Sequence, residues 1–529
     1  MKRFCITTIL CLAVSLPVAA WQNCPVIPLP QEAVKGNDTF LLSEKTPLVV
    51  ASDVLRSTAD YFRSQVIKFA GISLSEAKGS DDTPAIRLEL TEEKGDKEAY
   101  ELHIDSGGIT IRASGVPGVF NGTVSVLQLI ANTGKSGGQV KIPAWQIRDA
   151  PQYSWRGLML DVSRYFIPKE KIVSLLDWMA FYKLNRLHLH LTDEPGWRIE
   201  IKKYPRLASV GGVGDQNDPH KPAQYFTQED IAEIVEYAGK RNITVIPEID
   251  MPGHATAANR AYPQYSGGGS EQHPEFTFDP ENEDTYAYLT GILKEVNGLF
   301  PSRMLHLGGD EVSFGNDKWI QSRGIKELMS RHGLKDVREV EYHFMKRMAD
   351  SVYAMGANLL AWDELADTDL PADKTILFWW RHDKPEQLHK ALERGYRTVI
   401  CPRLPYYFDF VQDSTHNSGR KWGGKFSPIK DVYHFSAGDW TQGKATGKIL
   451  GVQANLWTET VTSIKRLDYL LFPRIAALSE SAWTTDRDDL PFFMKRLEDH
   501  LELYRSEKIY YYNPLKPETT PEPVYTKKK

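Results

Sequence analysis

The sequence predicts an α/β protein, a (β/α)8 barrel preceded by a small α+β domain, and three observations carry that expectation. From Trp155 onward, short apolar runs alternate with helical periodicity; acidic residues recur at the ends of those runs; and the segment before about Pro151 has a different, mixed pattern. At 529 residues the chain is several times the usual domain size, so more than one core is expected.

The candidate barrel strands are RGLMLDVS, NRLHLHLTD, ITVIPEID, MLHLGGDE, NLLAWDE, TILFWW, RTVICPR and ILGVQANLW, in that order. The helices between them show the spacing of a buried stripe. Ile172, Leu175, Leu176 and Met179 follow Pro168 at i, i+3, i+4, i+7, and Ile231, Ile234, Val235 and Ala238 repeat that spacing after Thr227. Thr227 with Asp230 three residues on reads as a capping box. Strands alternating with helices also suit a doubly wound open sheet, but the full run favours the closed barrel.

Ahead of the barrel, PLVVAS, a helical stretch from Val54 to Phe69, AIRLEL and the hairpin YELHIDSGGITIRAS alternate without a single period. A Gly/Ser-containing stretch, Thr133 to Gly138, precedes the strand QVKIPAW. The expected domains are residues 21–150 and 151–505. A Pro- and charge-rich tail, 506–529, is expected to be disordered.

The chain is 41% hydrophobic and 25% charged with a formal net charge of -5, which offers no broad basic surface for nucleic acid. Lys2 and Arg3, an apolar run from Phe4 to Val18, and Ala19–Ala20 read as a signal peptide over residues 1–20. That run is shorter than the ~20 residues of a membrane span, and no later segment replaces it. The expectation is an exported chain, periplasmic or secreted. Removing residues 1–20 takes Cys5 and Cys11 with it and leaves Cys24 and Cys401, too few for a disulfide framework. Lipid attachment at Cys24 is the less favoured alternative, because Trp21, Gln22 and Asn23 are not small apolar residues.

Asp161, Asp193, Glu248 with Asp250, Asp310 with Glu311, Asp363 with Glu364, and Glu459 fall at or just past strand ends. In a parallel barrel those ends open on the one face that carries active sites. A single acid there is more simply a loop or cap residue; the recurrence argues for chemistry. Asp310 and Glu311 follow Gly308 and Gly309, which permit a sharp turn and close approach of a ligand. Adjacent acids do not both ionise freely, so one can keep a proton for a glycosidic oxygen, a poor leaving group otherwise. A retaining pair needs its carboxyl groups on opposite sides of the bond, about 5 to 5.5 Å apart, which chain neighbours reach awkwardly. A further nucleophile, on the substrate, would resolve this. Trp362, Trp380 and Trp457 close strands five, six and eight, with Tyr407 beyond strand seven, and together suit the apolar face of a sugar or a methyl group.

His188 and His190 alternate along HLHLTD and carry the competing reading of a metal-dependent hydrolase, with His254 and His306 available as further ligands. Satisfied core histidines are the simpler explanation, and neither metal nor cofactor is expected. A catalytically silent glycan-binding protein on the same scaffold is the third reading; it has no need of a proton donor beside Asp310.

YSWRGLMLDVSRYFIP, LNRLHLHLTDEPGWRIEIKKYP, VIPEIDMPGHA, LHLGGDEV and NLWTE resemble the family 20 glycoside hydrolases, the β-N-acetylhexosaminidases, over about Tyr153 to Trp483. GVPGVFNGTVSVLQLI is similar to the helix ending that family's N-terminal domain. The resemblance implies an exo-acting, retaining enzyme that frees terminal GlcNAc or GalNAc from an oligosaccharide or glycoconjugate. It also implies substrate-assisted catalysis, in which the 2-acetamido oxygen attacks the anomeric carbon; the family is a recognised exception to the two-carboxylate scheme. Carried over by motif, Glu311 is acid and then base, Asp310 orients the acetamide, and Asp193 and His254 tune that pair. Arg156 grips the C3 and C4 hydroxyls and Glu459 the far side of the ring. Trp362, Trp380 and Trp457 wall the acetamido methyl, and Tyr407 with Asp409 completes the pocket. Trp379 beside Trp380 and Tyr406 beside Tyr407 leave those two choices open. DEPGWR stands where family members often show DDQGWR, a departure expected to change the loop after Asp193 without loss of chemistry.

Overall fold

A computed structural model describes residues 24–524 apart from 77–83, 134, 137, 442, 444–445 and 488. The expected signal peptide therefore lies outside the described residues.

The N-terminal sheet is built from β1 (Glu32–Leu42), β2 (Pro47–Val50), β3 (Ser75–Glu76), β4 (Ala85–Leu90), β5 (Tyr100–Asp105), β6 (Gly108–Ala113), β7 (Lys135–Ser136) and β8 (Gln139–Asp149). Its order is β1-β8-β5-β6-β4-β2-β3, with β7 on β8, and the expected hairpin is the antiparallel pair β5–β6. Two helices, α1 (Arg56–Ala70) and α2 (Val116–Ala131), pack against each other, and α2 lies on the sheet. Gly118 and Gly122 let α2 approach closely: a Cβ at Gly118 would stand 2.2 Å from the Ala99 carbonyl oxygen, and one at Gly122 would stand 2.5 Å from Ile111.

The second domain closes eight parallel strands into a barrel: β9 (Trp155–Asp161), β10 (Arg186–His190), β11 (Thr244–Glu248), β14 (Met304–His306), β15 (Asn358–Trp362), β16 (Thr375–Trp379), β17 (Arg397–Ile400) and β18 (Ile449–Leu456). A small hairpin, β12 (Ser266–Gly268) with β13 (Thr277–Phe278), stands in the connection after β11. Each barrel strand falls inside one of the runs picked out from the sequence or within a residue of it. The helices follow too. Lys169–Phe181 buries Ile172, Leu175, Leu176 and Met179, and Gln228–Gly239 starts with the expected Thr227–Asp230 capping box.

Buried polar contacts lock the two domains together beneath the barrel. Lys183 Nζ lies 3.1 Å from Asp149 Oδ2, Trp483 donates to Asp149 Oδ1 at 2.8 Å, and Gln128 donates to the Phe181 carbonyl at 2.7 Å. Cys24 is wholly buried near this seam, and burial pushes its thiol up to about 11.

The C-terminal segment corrects one expectation. After the helix Leu490–Ser506 the chain does not dangle: Ile509, Tyr511 and Tyr512 are buried, and Glu522 accepts the backbone N–H groups of Asn417 and Ser418 at 2.8 and 2.9 Å. The Pro- and charge-rich reading of 506–529 overlooked IYYYN, whose rings bury enough apolar surface to order the segment through residue 524. Residues 525–529 lie outside the described set. Among the described residues no helix is long and apolar enough to cross a membrane.

Candidate active site

The carboxyl ends of the strands converge on one pocket, and its centre is the turn after β14. Gly308 and Gly309 adopt φ of 67° and 90°, and Glu311 is itself left-handed at φ 54°. Only glycine fits at Gly308, where a Cβ would stand 1.7 Å from Asp250 Oδ1. A non-glycine residue held at positive φ stores strain of a kind common at functional turns. The turn brings both acids of the pair to one imidazole. His254 Nε2 lies 3.7 Å from Asp310 Oδ2 and 3.8 Å from Glu311 Oε2.

Below this pair runs a chain of buried polar contacts. His254 Nδ1 meets Asp193 Oδ1 at 3.1 Å, and Asp193 Oδ2 is shared by His190 at 2.8 Å and Arg164 at 2.7 Å. His190 in turn meets Glu248 Oε2 at 2.6 Å, and Trp362 donates its indole N–H to Glu248 Oε1 at 2.9 Å. Glu248 also takes His188 and His306 at 3.0 Å each. The charges follow from this geometry. Burial opposes ionisation throughout, yet Arg164 and His254 hold Asp193 well below the usual carboxylate range, and His254 rises well above an ordinary imidazole beside Asp193 and Asp250. Burial pushes Asp310 up to about 7, with His254 opposing and Glu311 adding to the rise.

Aromatic rings wall the pocket. Trp380 and Tyr407 lie nearly parallel with centroids 6.2 Å apart, and Trp457 stands 6.0 Å from both Tyr407 and Trp362. The neighbours left open by the sequence turn elsewhere: Trp379 packs on Trp440, and the Tyr406 hydroxyl bonds to Ser481. On the far wall Arg420 binds both Glu459 and Asp409, the latter at 2.5 Å. Burial pushes Asp409 up to about 7, with Arg420 opposing.

One expected residue is misplaced. Arg156 sits at the beginning of β9, the closed end of the barrel, and is buried against the N-terminal domain. Its guanidinium is held by both oxygens of Glu98 at 2.6 and 3.0 Å and by the carbonyls of Lys183 and Tyr153, so it cannot reach a sugar. The arginine that this strand's open end sends into the pocket is Arg164, three residues past Asp161. Asp161 aims it by accepting the N–H groups of Ser163 and Arg164 at 2.8 and 3.1 Å, and its guanidinium lies 5.0 Å over the Trp457 ring. The signal was available, since Asp161 and Arg164 follow the strand whereas Arg156 opens it. Also missed were Arg403 and the half-exposed Trp422 at the pocket rim.

His188 and His190, the metal alternative, are both engaged by Glu248. His188–Glu248–His306 and Asp250–His254–Asp310 have the spacing of a metal site. Ion pairs through Glu248 join the first cluster, whereas in the second both Asp250 carboxylate oxygens, His254 Nε2 and Asp310 Oδ1 are buried without a hydrogen-bond partner among the described residues. In the loop after Asp193, where DEPGWR stands, Asp193 and Gly196 bond backbone to backbone at 3.1 and 3.2 Å, and Glu194 meets His273 at 3.1 Å.

Residues 153–486 match the family model Glycosyl hydrolase family 20, catalytic domain, and residues 23–150 match Glycosyl hydrolase family 20, domain 2. The chain belongs to glycoside hydrolase family 20. Among its relatives is a β-hexosaminidase of Porphyromonas gingivalis, 32% identical over 93% of this chain and 64% of the relative, so the chain spans under two thirds of that protein. A β-N-acetylhexosaminidase of Cellulomonas fimi is 30% identical over 87% of this chain and 89% of the relative. Among solved family 20 structures, the exo β-N-acetylglucosaminidase from Vibrio harveyi in complex with N-acetylglucosamine superposes with a TM-score of 0.85 at 27% identity, covering 93% of this chain and 79% of that one. The β-N-acetylhexosaminidase from Bacteroides fragilis gives 0.83 at 26%, covering 95% and 99%.

Proposed function

We propose that this chain is an exo-acting, retaining β-N-acetylhexosaminidase that removes terminal GlcNAc or GalNAc by substrate-assisted catalysis. The observation that carries the reading is the distribution of cations over the pocket carboxylates. Asp193 is held by Arg164, and Asp409 and Glu459 by Arg420, while Asp310 and Glu311 share only the His254 imidazole, at 3.7 and 3.8 Å, and have no guanidinium or ammonium within ion-pair distance among the described residues. Asp409 and Glu459 are binding groups and Asp193 positions His254; the pair at the turn is left to do the chemistry.

The steps follow from position. Glu311 gives its proton to the glycosidic oxygen as the bond breaks, and the acetamido oxygen attacks the anomeric carbon from the opposite side. Asp310 accepts the acetamide N–H and stabilises the positive charge that spreads over the closing oxazolinium ring. Trp362, Trp380 and Trp457 enclose the methyl group and exclude water. Glu311 then takes a proton from water, which reopens the ring with net retention. Arg164 and Glu459 hold the sugar hydroxyls, with Tyr407 and Asp409 completing that wall. Export to the periplasm or medium fits the residue 1–20 reading, and the buried Cys24 sulfur disfavours the lipid-anchored variant.

An aryl β-N-acetylglucosaminide assay tests the proposal. Release of the phenol with initial retention of the β-anomer is expected. A folded wild-type protein that leaves the glycoside intact overturns it.

A further inference from the structure

A groove of about 580 Å3 leaves the catalytic pocket past Glu311, between the segments that follow β14, β15 and β16. Glu311, Trp380 and Arg403 line both the groove and the pocket, so the groove begins where the bond to the leaving group would break. Its wall carries Phe314, three residues beyond the general acid and 50% exposed. The ring stacks on His273 at 5.9 Å between centroids, and its half-exposed remainder suits the apolar face of a sugar.

The groove's charge is set by which of its acids are neutralised. Burial, with Glu364 nearby, pushes Glu341 up to about 8, and Glu364, raised by burial and by Asp363, lies 3.3 Å from the Arg381 guanidinium. Asp383 is paired with Arg403 and Asp367 with Lys390, and Asp336 caps the helix Val337–Ala354. Arg338 and Lys384 also line the groove, are exposed, and make no ion pair with any described carboxylate. Two exposed cations outside any described ion pair therefore face a groove in which Glu364, Asp367 and Asp383 are each paired with another cation.

We propose that this groove seats the leaving-group sugar, with its ring against Phe314 and an anionic substituent, a sulfate ester or a carboxylate, held by Arg338 and Lys384. The inference rests on the glycosidase reading above. It assigns the enzyme a preference for acidic glycans at the position next to the terminal N-acetylhexosamine.

The test uses three disaccharides with the same terminal β-linked N-acetylhexosamine: one on a neutral hexose, one on that hexose sulfated at C6, and one on the corresponding uronic acid. Exposed charge-assisted contacts predict a kcat/KM for at least one acidic substrate roughly fivefold to tenfold above the neutral one at low salt, shrinking as salt screens it. Whichever acidic arm shows the preference identifies the substituent. In the Arg338→Gln/Lys384→Gln double variant the ratio should fall to about one, with the melting temperature close to wild type because both side chains are exposed and neither is in a described ion pair. Equal kcat/KM for all three substrates, or a preference that survives the double substitution, overturns the groove assignment while leaving the glycosidase reading intact. Failure of the wild type on all three and on the aryl glycoside would instead sink that reading.

Discussion

Arg164 places its guanidinium 2.7 Å from Asp193, at the open end of the barrel, while Arg156 on the same strand is bound to Glu98 at the closed end. The two arginines should therefore fail differently. Arg164→Ala removes a sugar-binding donor and leaves Asp193 without its guanidinium, so kcat/KM for the aryl glycoside should drop by about 10²-fold or more. Arg156→Ala should lower the melting temperature, by on the order of 3 kcal/mol of stability, because partly buried Glu98 loses its partner. Its KM at a temperature where the variant is folded should stay close to wild type. Steady-state kinetics beside thermal unfolding separate the two.

Glu311→Gln should lose about 10²- to 10⁴-fold in kcat on substrates with poor leaving groups, the usual worth of general acid catalysis. The loss should be much smaller for a dinitrophenyl glycoside, whose phenolate leaves without protonation. Asp310→Asn should instead impair both substrates alike, by about 10²- to 10³-fold, since the charge it stabilises forms whatever the leaving group. Leaving-group dependence of kcat read across both variants checks the division of labour.

The pH profile has a sign fixed by Asp310. Its raised value, about 7, means that the free enzyme carries a neutral carboxyl there in acid and a carboxylate in base. Because kcat/KM reports the free enzyme and the orienting group must be anionic, activity should fall as pH drops through about 7. Asp310→Asn should flatten that acid limb. A wild-type limb confined to the ordinary carboxylate range would contradict the assignment.

Gly308→Ala tests the turn itself. The added methyl would overlap Asp250 Oδ1 at 1.7 Å, at a φ of 67° that alanine resists. The turn must shift, and an active-site displacement of about 1 Å typically costs on the order of 10²-fold in rate. Circular dichroism should show the fold retained while kcat falls.

The barrel was legible because its signals are periodic and local. HLHL and TILFW are short apolar runs between helical stripes, and Thr227 with Asp230 announces its helix in two residues. The acid pair was legible for a similar reason, since two glycines before two carboxylates at a strand end leave few structural explanations. Arg156 was misread because a motif match carries no direction along the strand, whereas the barrel's polarity does. The ring pairs could not be separated from sequence, because strand alternation is lost where Trp380 leaves its strand, and Tyr406 and Tyr407 lie in and just after the short helical turn Arg403–Tyr406. The tail was misjudged from its prolines and charges, although three consecutive tyrosines, Tyr510 to Tyr512, had apolar surface to bury.

The account stands or falls on who supplies the nucleophile. Rates on an aryl β-N-acetylglucosaminide and on the same glycoside with its N-acetyl group removed compare the two possibilities directly. An intramolecular acetamide held in place is worth many powers of ten in effective concentration, so the de-acetylated glycoside should turn over at least about a thousandfold more slowly. Equal rates on the two glycosides would mean that an enzyme group attacks the anomeric carbon, and the roles given to Asp310 and the tryptophan wall would be wrong.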